Sequence, residues 1–348
     1  MPRLLSLGEM LIDFVATEHG RSLEHAQHFT KAAGGAPANV AVAAARLGMS
    51  CGFMGKVGDD PFGHFLVNTL RGHGVDTSAV RYSTTARTGL AFVSLQASGE
   101  RDFLFFRHPS ADTLYDVDDV ADDVIRAAEV LHVGSLGLAV SPMREALWHA
   151  VRVAREADVR ISYDPNLRLS LWPSAEIARQ EILSLWPFAE IIKVGEEELL
   201  FLDDRGTIED VVHALWHDRL QLMAITHGAG GCTLVTPRER VHVPGFAVPV
   251  VDTTGAGDAF IAALLVGLLR QPDAWQDYDG LTRVGRYANA VGALTTTAHG
   301  AIPALPSADR VTAFLASHPL PTQAEPALSL DTNDPISFSD SRRQGGGV

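Results

Sequence analysis

The feature of this sequence that most restricts its fold is an alternation of short apolar runs with helical patterns along most of the chain. The runs have strand length and are nearly continuous in apolar residues, as in strands that are buried on both faces. Examples are LLSLGEMLIDFV, CGFMGKVG, EVLHVG, VRISYDP, AEIIKVG and LMAITHG. This alternation predicts an α/β fold with a mostly parallel central sheet and helices on both faces.

Residues 88–107 depart from the alternation. They read TGLAFVSLQASGERDFLFFR, two β-rich runs joined by residues 97–100 with no helix between them, which predicts an antiparallel hairpin. Because no crossover helix intervenes, we expect the hairpin to stand off the main sheet. Such a flap beside an α/β core is either a lid that closes over a cleft and excludes water, or an edge hairpin without functional motion.

The charge and composition of the chain exclude several classes of function. Its 42 acidic and 28 basic residues give a formal net charge of -14, which repels nucleic acid and anionic membrane surfaces. No apolar run reaches the length of about 18 residues that a membrane span needs, and the start of the chain lacks a signal-peptide pattern. Its 2 cysteines are too few for a disulfide framework. We therefore expect a cytoplasmic protein whose ligands are small molecules.

Residues 319–348 are rich in Pro, Ser, Asp and Gly and show no hydrophobic periodicity. Such a segment cannot bury enough apolar surface to offset the entropy of ordering it. We expect a disordered tail here, after one folded domain over residues 1–318.

The stretch 252–260, DTTGAGDAF, opens a strongly apolar helical run. Gly255, Ala256 and Gly257 can point successive backbone amides at one spot, where the helix dipole adds positive potential. Such a turn holds or stabilises an oxyanion. Asp258 then has two interpretations: a carboxylate that merely complements the dipole, or a general base beside the place where negative charge develops. The residues alone leave both open.

A second glycine-rich turn, GGAPAN, precedes a helix of small residues. Gly34 and Gly35 let the backbone approach a ligand closely, and Asn39 offers both a donor and an acceptor to hydroxyl groups. A glycine turn with an Asn near a helix start is also a common structural feature. Asp13 shifts the balance, because a carboxylate in an apolar strand is destabilising unless donors such as sugar hydroxyls reach it.

Polar residues also follow three of the predicted strands, at the sheet edge where ligands of open α/β folds bind. In chain order they are Asp164, Asn166 and Arg168, then Lys193 with Glu196, Glu197 and Glu198, and then Thr226 and Gly228. The adjacent glutamates favour either a solvated helix start or the binding of hydrated Mg²⁺. The chain contains neither a P-loop nor a complete dinucleotide-binding motif, which argues against P-loop kinases and Rossmann dehydrogenases.

Together these motifs resemble the ribokinase-like carbohydrate kinases, also called the phosphofructokinase-B family. GGAPANVAVAAARLG with GKVGDDPFG is similar to the N-terminal signature of that family, and DTTGAGDAFIAALL is similar to its C-terminal signature. ERDFLFFRHPSAD, DPNLRLSLWPS and ANAVGALTTTAHGAIPALP look like the bacterial fructokinase branch. The resemblance spans roughly residues 3–317 and implies a small β-sheet lid built from segments near 11–30 and 86–108.

The resemblance implies roles for the sugar and phosphoryl ends of a site. Asp258 matches the catalytic base, and the amides of residues 255–257 match the anion hole. The positions that match sugar contacts, or that lie on the lid near the cleft, are Asp13, Gly34, Gly35, Asn39, Arg101 and Arg107.

The resemblance also implies nucleotide and cation sites. Thr226, Gly228 and Asn289 match positions that line the nucleotide pocket, and we assign Asn166, Arg168 and Lys193 to the nucleotide as well. Glu198 matches an acid that shapes the Mg²⁺ site, here expected to act through water, although Gly195 replaces the Asn that the family often has. Asp252 and the carbonyl of Thr254 match a monovalent cation site, usually for K⁺.

The implied reaction is transfer of the γ-phosphoryl group of ATP to a primary sugar hydroxyl, with D-fructose as the expected acceptor. Kinases for 2-keto-3-deoxygluconate, ribose or a nucleoside stay open as alternatives, as does a catalytically weak sugar-binding regulator on the same fold. The intact GAGD sequence, which includes Asp258, favours catalysis. An exposed lid sheet would also offer a surface for pairing two copies, so we consider a homodimer through the lid.

Overall fold

A computed structural model describes residues 1–18, 20–95 and 101–319, without the side chains of Leu95 and Arg101. The large sheet has nine strands, in the spatial order β13 (Arg240–Pro244), β12 (Gly231–Val235), β11 (Leu222–Thr226), β10 (Ile191–Gly195), β9 (Arg160–Asp164), β8 (Val130–Gly134), β1 (Leu4–Leu7), β4 (Cys51–Gly58) and β5 (Val80–Ser83). The strands β11, β10, β9, β8, β1, β4 and β5 run parallel to one another. Strands β12 and β13 add an antiparallel edge next to β11. The predicted α/β fold is confirmed.

Helices cover both faces of this sheet. They are α1 (Ala36–Arg46), α2 (Pro61–Gly72), α3 (Asp122–Arg126), α4 (Met143–Glu156), α5 (Ala175–Leu185), α6 (Glu196–Leu202), α7 (Ile208–Leu215), α8 (Ala256–Arg270), α9 (Tyr278–Thr295) and α10 (Ala308–Ser317). One apolar core includes α1, α8 and α9, and a second includes α4, α5 and α7 on the other face. Helix α8 is apolar on all sides and packs between α1 and α9, so its N-terminus has a fixed position.

A separate sheet of four strands stands off the large one. Its order is β3 (Phe29–Gly34), β2 (Leu11–Ala16), β6 (Leu90–Leu95) and β7 (Arg101–Phe106). Strands β6 and β7 pair antiparallel, as the hairpin prediction required, while the turn predicted at residues 97–100 lies outside the described residues. The strands alternate their side chains, so one face of this small sheet is directed toward the large sheet and the other is not.

The apolar run LLSLGEMLIDFV, which we expected to form a single first strand, is divided between the two sheets. Strand β1 ends at Leu7 in the large sheet, and β2 begins at Leu11 in the small one. Gly8 lies at the division, where a Cβ would approach Cγ of Pro37 to 2.5 Å. The close packing of α1 on this turn therefore bends a run that looks continuous in the sequence.

The predicted tail, residues 319–348, lies outside the described residues except for Pro319. None of the helices within the described part of the chain is long and apolar enough to cross a membrane.

Candidate active site

A cleft of about 230 Å³ separates the small sheet from the carboxyl edge of the large one. Asp13, Phe103 and Phe105 line it from the small sheet. The loops after β8, β9 and β10, the start of α1 and the start of α8 line the other sides, with Gly134, Asn166, Arg168, Lys193, Gly35, Asn39, Thr254, Gly255, Gly257 and Asp258 among their residues. The carboxyl ends of the parallel strands thus form the floor, as expected for an open α/β sheet.

Asp258 lies in the first turn of α8 and is only 8% exposed. Nδ2 of Asn39, from the first turn of α1, donates a hydrogen bond of 2.8 Å to its Oδ2. Burial raises the pKa of Asp258 to about 6, the Asn39 hydrogen bond opposes that shift, and nearby Asp164 adds to it. The carboxylate is therefore more basic than an ordinary Asp, yet still mostly ionised at neutral pH.

The turn before Asp258 depends on two glycines. Gly255 caps α8 with a φ of 77°, and a Cβ there would lie 2.8 Å from Cβ of Ala301. A Cβ on Gly257 would lie 3.1 Å from Nζ of Lys193. The Ala256 amide donates to the Thr253 carbonyl at 3.3 Å. Because the first amides of an α-helix lack intrahelical acceptors, this turn still presents N–H groups together with the positive end of the α8 dipole. The arrangement can hold an anion.

Lys193 contributes a positive charge beside that turn. Its Nζ lies 3.1 Å from Oδ2 of Asp164, and both side chains are buried. Burial alone would lower the pKa of Lys193, but Asp164 and Glu198 outweigh it, so the pKa is raised and the ammonium stays charged. Asp164 also accepts the amide of Asn166 at 3.1 Å, which holds the loop after β9 against Lys193.

Asp13 faces the cleft from β2. Burial, followed by the charge of Asp258, raises the pKa of Asp13 to about 6. Gly34 packs against it so closely that a Cβ there would approach Oδ2 of Asp13 to 2.1 Å. Within the described residues, the buried Oδ1 of Asn39 finds no hydrogen-bond donor. A buried acceptor without a protein donor leaves a hydrogen-bonding position for a ligand hydroxyl or an ordered water molecule.

The candidate cation ligands are already bonded to the backbone. Oε2 of Glu198 accepts the amide of Gly195 at 2.8 Å, and Oε1 accepts the amide of Leu167 at 2.6 Å. Oδ1 of Asp252 accepts the amide of Thr254 at 2.9 Å, and its Oδ2 accepts an amide from the segment after α9. Oδ1 of Asp252 also accepts the Thr254 hydroxyl at 2.6 Å. Carboxylate and carbonyl oxygens are the ligands that hard cations prefer, so the residue types at both sites suit their proposed ions.

Three other candidate nucleotide residues, Thr226, Gly228 and Asn289, lie near β11 and β13 and are not among the residues that line the described cleft. Asn289, buried on α9, donates to the carbonyls of Val243 at 2.9 Å and Pro244 at 3.2 Å. Thr226 ends β11, and its hydroxyl donates to Val194 at 3.5 Å. Gly228 follows in a short 3-10 turn with a φ of 57°. Asn289 thus fixes the end of β13. Thr226 and Gly228 lie at the carboxyl end of β11, at the edge of the sheet.

The two lid arginines differ in what the structure describes. Arg107 lies directly after β7 and forms a buried ion pair with Asp112, to which its Nε donates at 2.9 Å. It is not among the residues that line the described cleft. The Arg101 side chain lies outside the described residues, so its contact with a sugar stays a prediction.

Sequence reasoning missed two buried acids near this site, Glu9 and Asp112. Glu9 lines the cleft, and its Oε1 accepts the amide of Ala36 at 3.2 Å. The signal for Glu9 was present, because LGEML places an acid beside a glycine inside an apolar run. Asp112 had no local signal, since its importance comes from Arg107 across the turn.

Comparison with known proteins places this geometry in a family. Residues 1–308 match the model of the pfkB family carbohydrate kinases. Probable fructokinase-4 of Arabidopsis thaliana is 50% identical over 313 residues, which cover 90% of this chain and 96% of that protein.

Solved structures agree with that match. A fructokinase from Xylella fastidiosa with bound ATP superposes with a TM-score of 0.84 at 35% identity, covering 91% of this chain and 99% of the other. A double mutant of the fructokinase from Vibrio cholerae O395, in a form with fructose, ADP and potassium ion bound, superposes with a TM-score of 0.81 at 36% identity, covering 90% and 98%. The chain therefore belongs to the PfkB family of carbohydrate kinases.

Proposed function

We propose that this protein transfers the γ-phosphoryl group of ATP to the primary hydroxyl of D-fructose, giving fructose 6-phosphate and ADP. The observation that carries the proposal is the juxtaposition of buried Asp258 with Asn39 and the amides at the start of α8, in one cleft. Relatives and neighbours that share most of the fold are named fructokinases, and one of them holds fructose and ADP.

In this reaction Asp258 acts as the general base. The sugar hydroxyl oxygen attacks the γ-phosphorus, the bond from that phosphorus to the bridging oxygen of ADP breaks, and the hydroxyl proton passes to the Asp258 carboxylate. The raised pKa of about 6 suits this task, because the Asp258 carboxylate is a stronger base than an ordinary Asp and is still ionised near pH 7. Asn39 holds the carboxylate in position.

The amides of Gly255, Ala256 and Gly257 form the anion hole for the transferring phosphoryl group. The dipole of α8 and the buried ammonium of Lys193 add positive potential at the same place. Phosphoryl transfer needs mainly positioning and charge stabilisation, which these groups supply.

The sugar lies between the small sheet and the start of α1. Asp13 and Asn39 accept its hydroxyls, and Gly34 and Gly35 let it approach the backbone. The ion pair of Arg107 with Asp112 favours a positioning role at the base of the small sheet over direct contact with the sugar.

ATP lies along the carboxyl edge toward β11 and β13. The residues proposed to contact it are Asn166, Arg168, Lys193, Thr226, Gly228 and Asn289. Glu198 would order Mg²⁺ through water, and Asp252 with the Thr254 carbonyl would hold K⁺. The divalent ion supplies neutralisation of the phosphate charge when bound, while Glu198 itself ties the starts of α6 and the β9 loop together.

The charge of the cleft distinguishes the candidate acceptors. Glu9, Asp13 and Asp258 all line it, so the sugar side is acidic. A carboxylated acceptor such as 2-keto-3-deoxygluconate would meet repulsion there, because like charges at close range disfavour binding. A neutral sugar such as fructose fits better. Ribose and nucleosides are neutral as well, and a sugar-binding regulator would have no need for a buried base at this position.

A coupled ADP-release assay over fructose, ribose, 2-keto-3-deoxygluconate and adenosine tests the proposal. We expect the highest kcat/KM with fructose. A higher value with another acceptor would replace fructose by that acceptor, and no ADP release with any of them would favour the regulator.

We also propose that two copies pair through the small sheet. Leu104 and Phe106 of β7 are 50% and 56% exposed, and their positions in the strand place them on the same face. Burying such a patch against its own copy would remove apolar surface from water. Light scattering of the native protein and of Phe106→Glu tests this, with a dimer expected for the first and a monomer for the second.

A further inference from the structure

The small sheet is joined to the body of the protein by four chain crossings, and one side chain lies among them. Glu9 occupies the crossing from β1 to β2. The crossing from β3 to α1 passes beside it, since a Cβ on Gly35 would lie 2.4 Å from the Glu9 carbonyl oxygen. Arg107 begins the crossing that follows β7. Gly89 lies in the crossing before β6, next to Asp112. A Cβ on Gly89 would lie 3.0 Å from Oδ1 of Asp112.

Glu9 links these crossings to the cleft. Its Oε1 accepts the amide of Ala36, the first residue of α1, at 3.2 Å. Glu9 is among the residues that line the cleft, although it is only 9% exposed. A carboxylate offers about four lone-pair sites, so Glu9 keeps acceptor capacity for a ligand after binding Ala36.

The electrostatic surroundings of Glu9 leave its charge incompletely balanced. Arg107 is the nearby cation that acts on it, and Arg107 donates its hydrogen bonds to Asp112. Burial raises the pKa of Glu9 to about 7, Arg107 opposes this, and Asp112 adds to it. Asp13 lines the same cleft from β2. A sugar hydroxyl that donates to Glu9 would supply the missing stabilisation of its ionised form.

We propose that Glu9 is a sugar-binding residue, which accepts a hydroxyl of the acceptor sugar with one carboxylate oxygen while it holds the start of α1 with the other. This inference rests on the proposed sugar kinase function. A structural role alone does not explain why Glu9 lies buried on the cleft wall. A carboxylate that only accepted the Ala36 amide would have a lower desolvation cost at a position open to solvent.

Three variants separate the two uses of the side chain. Glu9→Gln keeps an acceptor for the Ala36 amide and removes the charge, and Glu9→Met removes both. Glu24→Gln makes the same chemical change at an exposed position between β2 and β3, and serves as the matched control. Kinetics with fructose and with ATP varied in turn, over pH 5 to 9, form the measurement.

For Glu9→Gln we expect the KM for fructose to rise roughly tenfold, which is what one hydrogen bond to a charged group is worth. The KM for ATP and kcat should change by less than about twofold. For Glu9→Met the KM for fructose should rise further, and Glu24→Gln should match the native protein.

The pH profile gives a second readout that a structural role would not move. In the native enzyme kcat/KM for fructose should fall as the pH drops through about 7, the pKa of Glu9. In Glu9→Gln this limb should move to about 6, where Asp13 and Asp258 titrate. An unchanged KM and an unchanged limb in Glu9→Gln would overturn the inference while leaving the kinase function intact. A native protein that phosphorylates no sugar would overturn both.

Discussion

Several helix starts in this protein carry an aspartate, and those of α2 and α8 treat it in opposite ways. At the start of α2, Oδ1 of Asp60 accepts the amides of Phe62 and Gly63 and the hydroxyl of Thr88, each at 2.9 Å, and Oδ2 accepts the amide of Thr88 at 2.9 Å. Burial alone would raise the pKa of Asp60, but these hydrogen bonds outweigh it and the pKa is lowered. At the start of α8, buried Asp258 accepts a hydrogen bond from the Asn39 side chain. Burial outweighs this hydrogen bond, and the pKa of Asp258 rises to about 6.

The difference shows how similar sequences acquire different uses. GDDPFG and GAGDAF both place an acid shortly after a glycine and two residues before a phenylalanine, at the start of a helix. Asp60 is saturated with donors, so it stabilises the fold and has little affinity for a proton. Asp258 is buried with few donors, so its ionised form destabilises the fold and is ready to take a proton. The number of donors, more than the residue type, separates the structural acid from the proposed base.

The largest effect should come from Asp258→Asn. The amide is nearly isosteric but cannot accept the hydroxyl proton, so we expect kcat to fall by about 10² or more. Binding of ATP, measured by calorimetry, should change little because the amides of the anion hole remain. Near-native turnover in this variant would contradict the assignment of the base.

The matching change at α2 should affect stability instead. Asp60→Ala removes the cap of α2 and leaves the buried donors of Thr88 unpaired, so the free energy of unfolding should fall by about 2–4 kcal/mol. Asp59→Ala is the control, because its side chain is 51% exposed and pairs with His64 at the surface. We expect that control to cost less than about 1 kcal/mol in urea unfolding. Equal losses of unfolding free energy in Asp60→Ala and Asp59→Ala would contradict the structural role assigned to Asp60.

Stability should also respond to pH in the direction that the Asp258 pKa requires. Its folded pKa of about 6 lies above the ordinary value of 3.8, so ionisation destabilises the folded state. This penalty is full above about pH 6 and disappears as the pH falls below the ordinary value. Asp258→Asn should therefore stabilise the ligand-free protein at pH 8 by on the order of 1–3 kcal/mol, and by much less at pH 4. A variant that is destabilised at pH 8 would contradict this sign.

The smallest effect concerns Asp252, a third acid beside the α8 turn, whose oxygens accept from Thr254 and Gly300. If it also holds K⁺, replacing K⁺ by a large organic cation should lower kcat by up to about tenfold, which corresponds to about 1.4 kcal/mol. Asp252→Asn should reduce that response. An enzyme that is indifferent to the exchange would count against the cation site and leave Asp252 as a structural acid like Asp60.

Much of the site could be predicted because its chemistry is local in the sequence. The glycines before Asp258, Asn39 after its own glycine turn, and Asp13 in an apolar strand each carry their own signal, and the structure brings them into one cleft. The alternation of strands and helices likewise predicted the α/β fold.

The rest depends on contacts between distant segments. The division between β1 and β2 arises from the packing of Pro37 on Gly8. The antiparallel edge of β12 and β13 was not predicted, because short strands without crossover helices give a weak signal. No local pattern shows that Asp112 pairs with Arg107. LGEML marks Glu9 as an unusual acid in an apolar run but does not show that it reaches the cleft.

The most direct test of the contrast between the two acids is a carboxyl titration by NMR in the ligand-free protein, with the Asp258 and Asp60 signals assigned from Asp258→Asn and Asp60→Asn. The structure predicts that Asp258 titrates near pH 6 and that Asp60 titrates below the ordinary value of 3.8. Titration of Asp258 at or below 3.8, together with Asp60, would contradict the account that scarcity of donors turns this aspartate into a base.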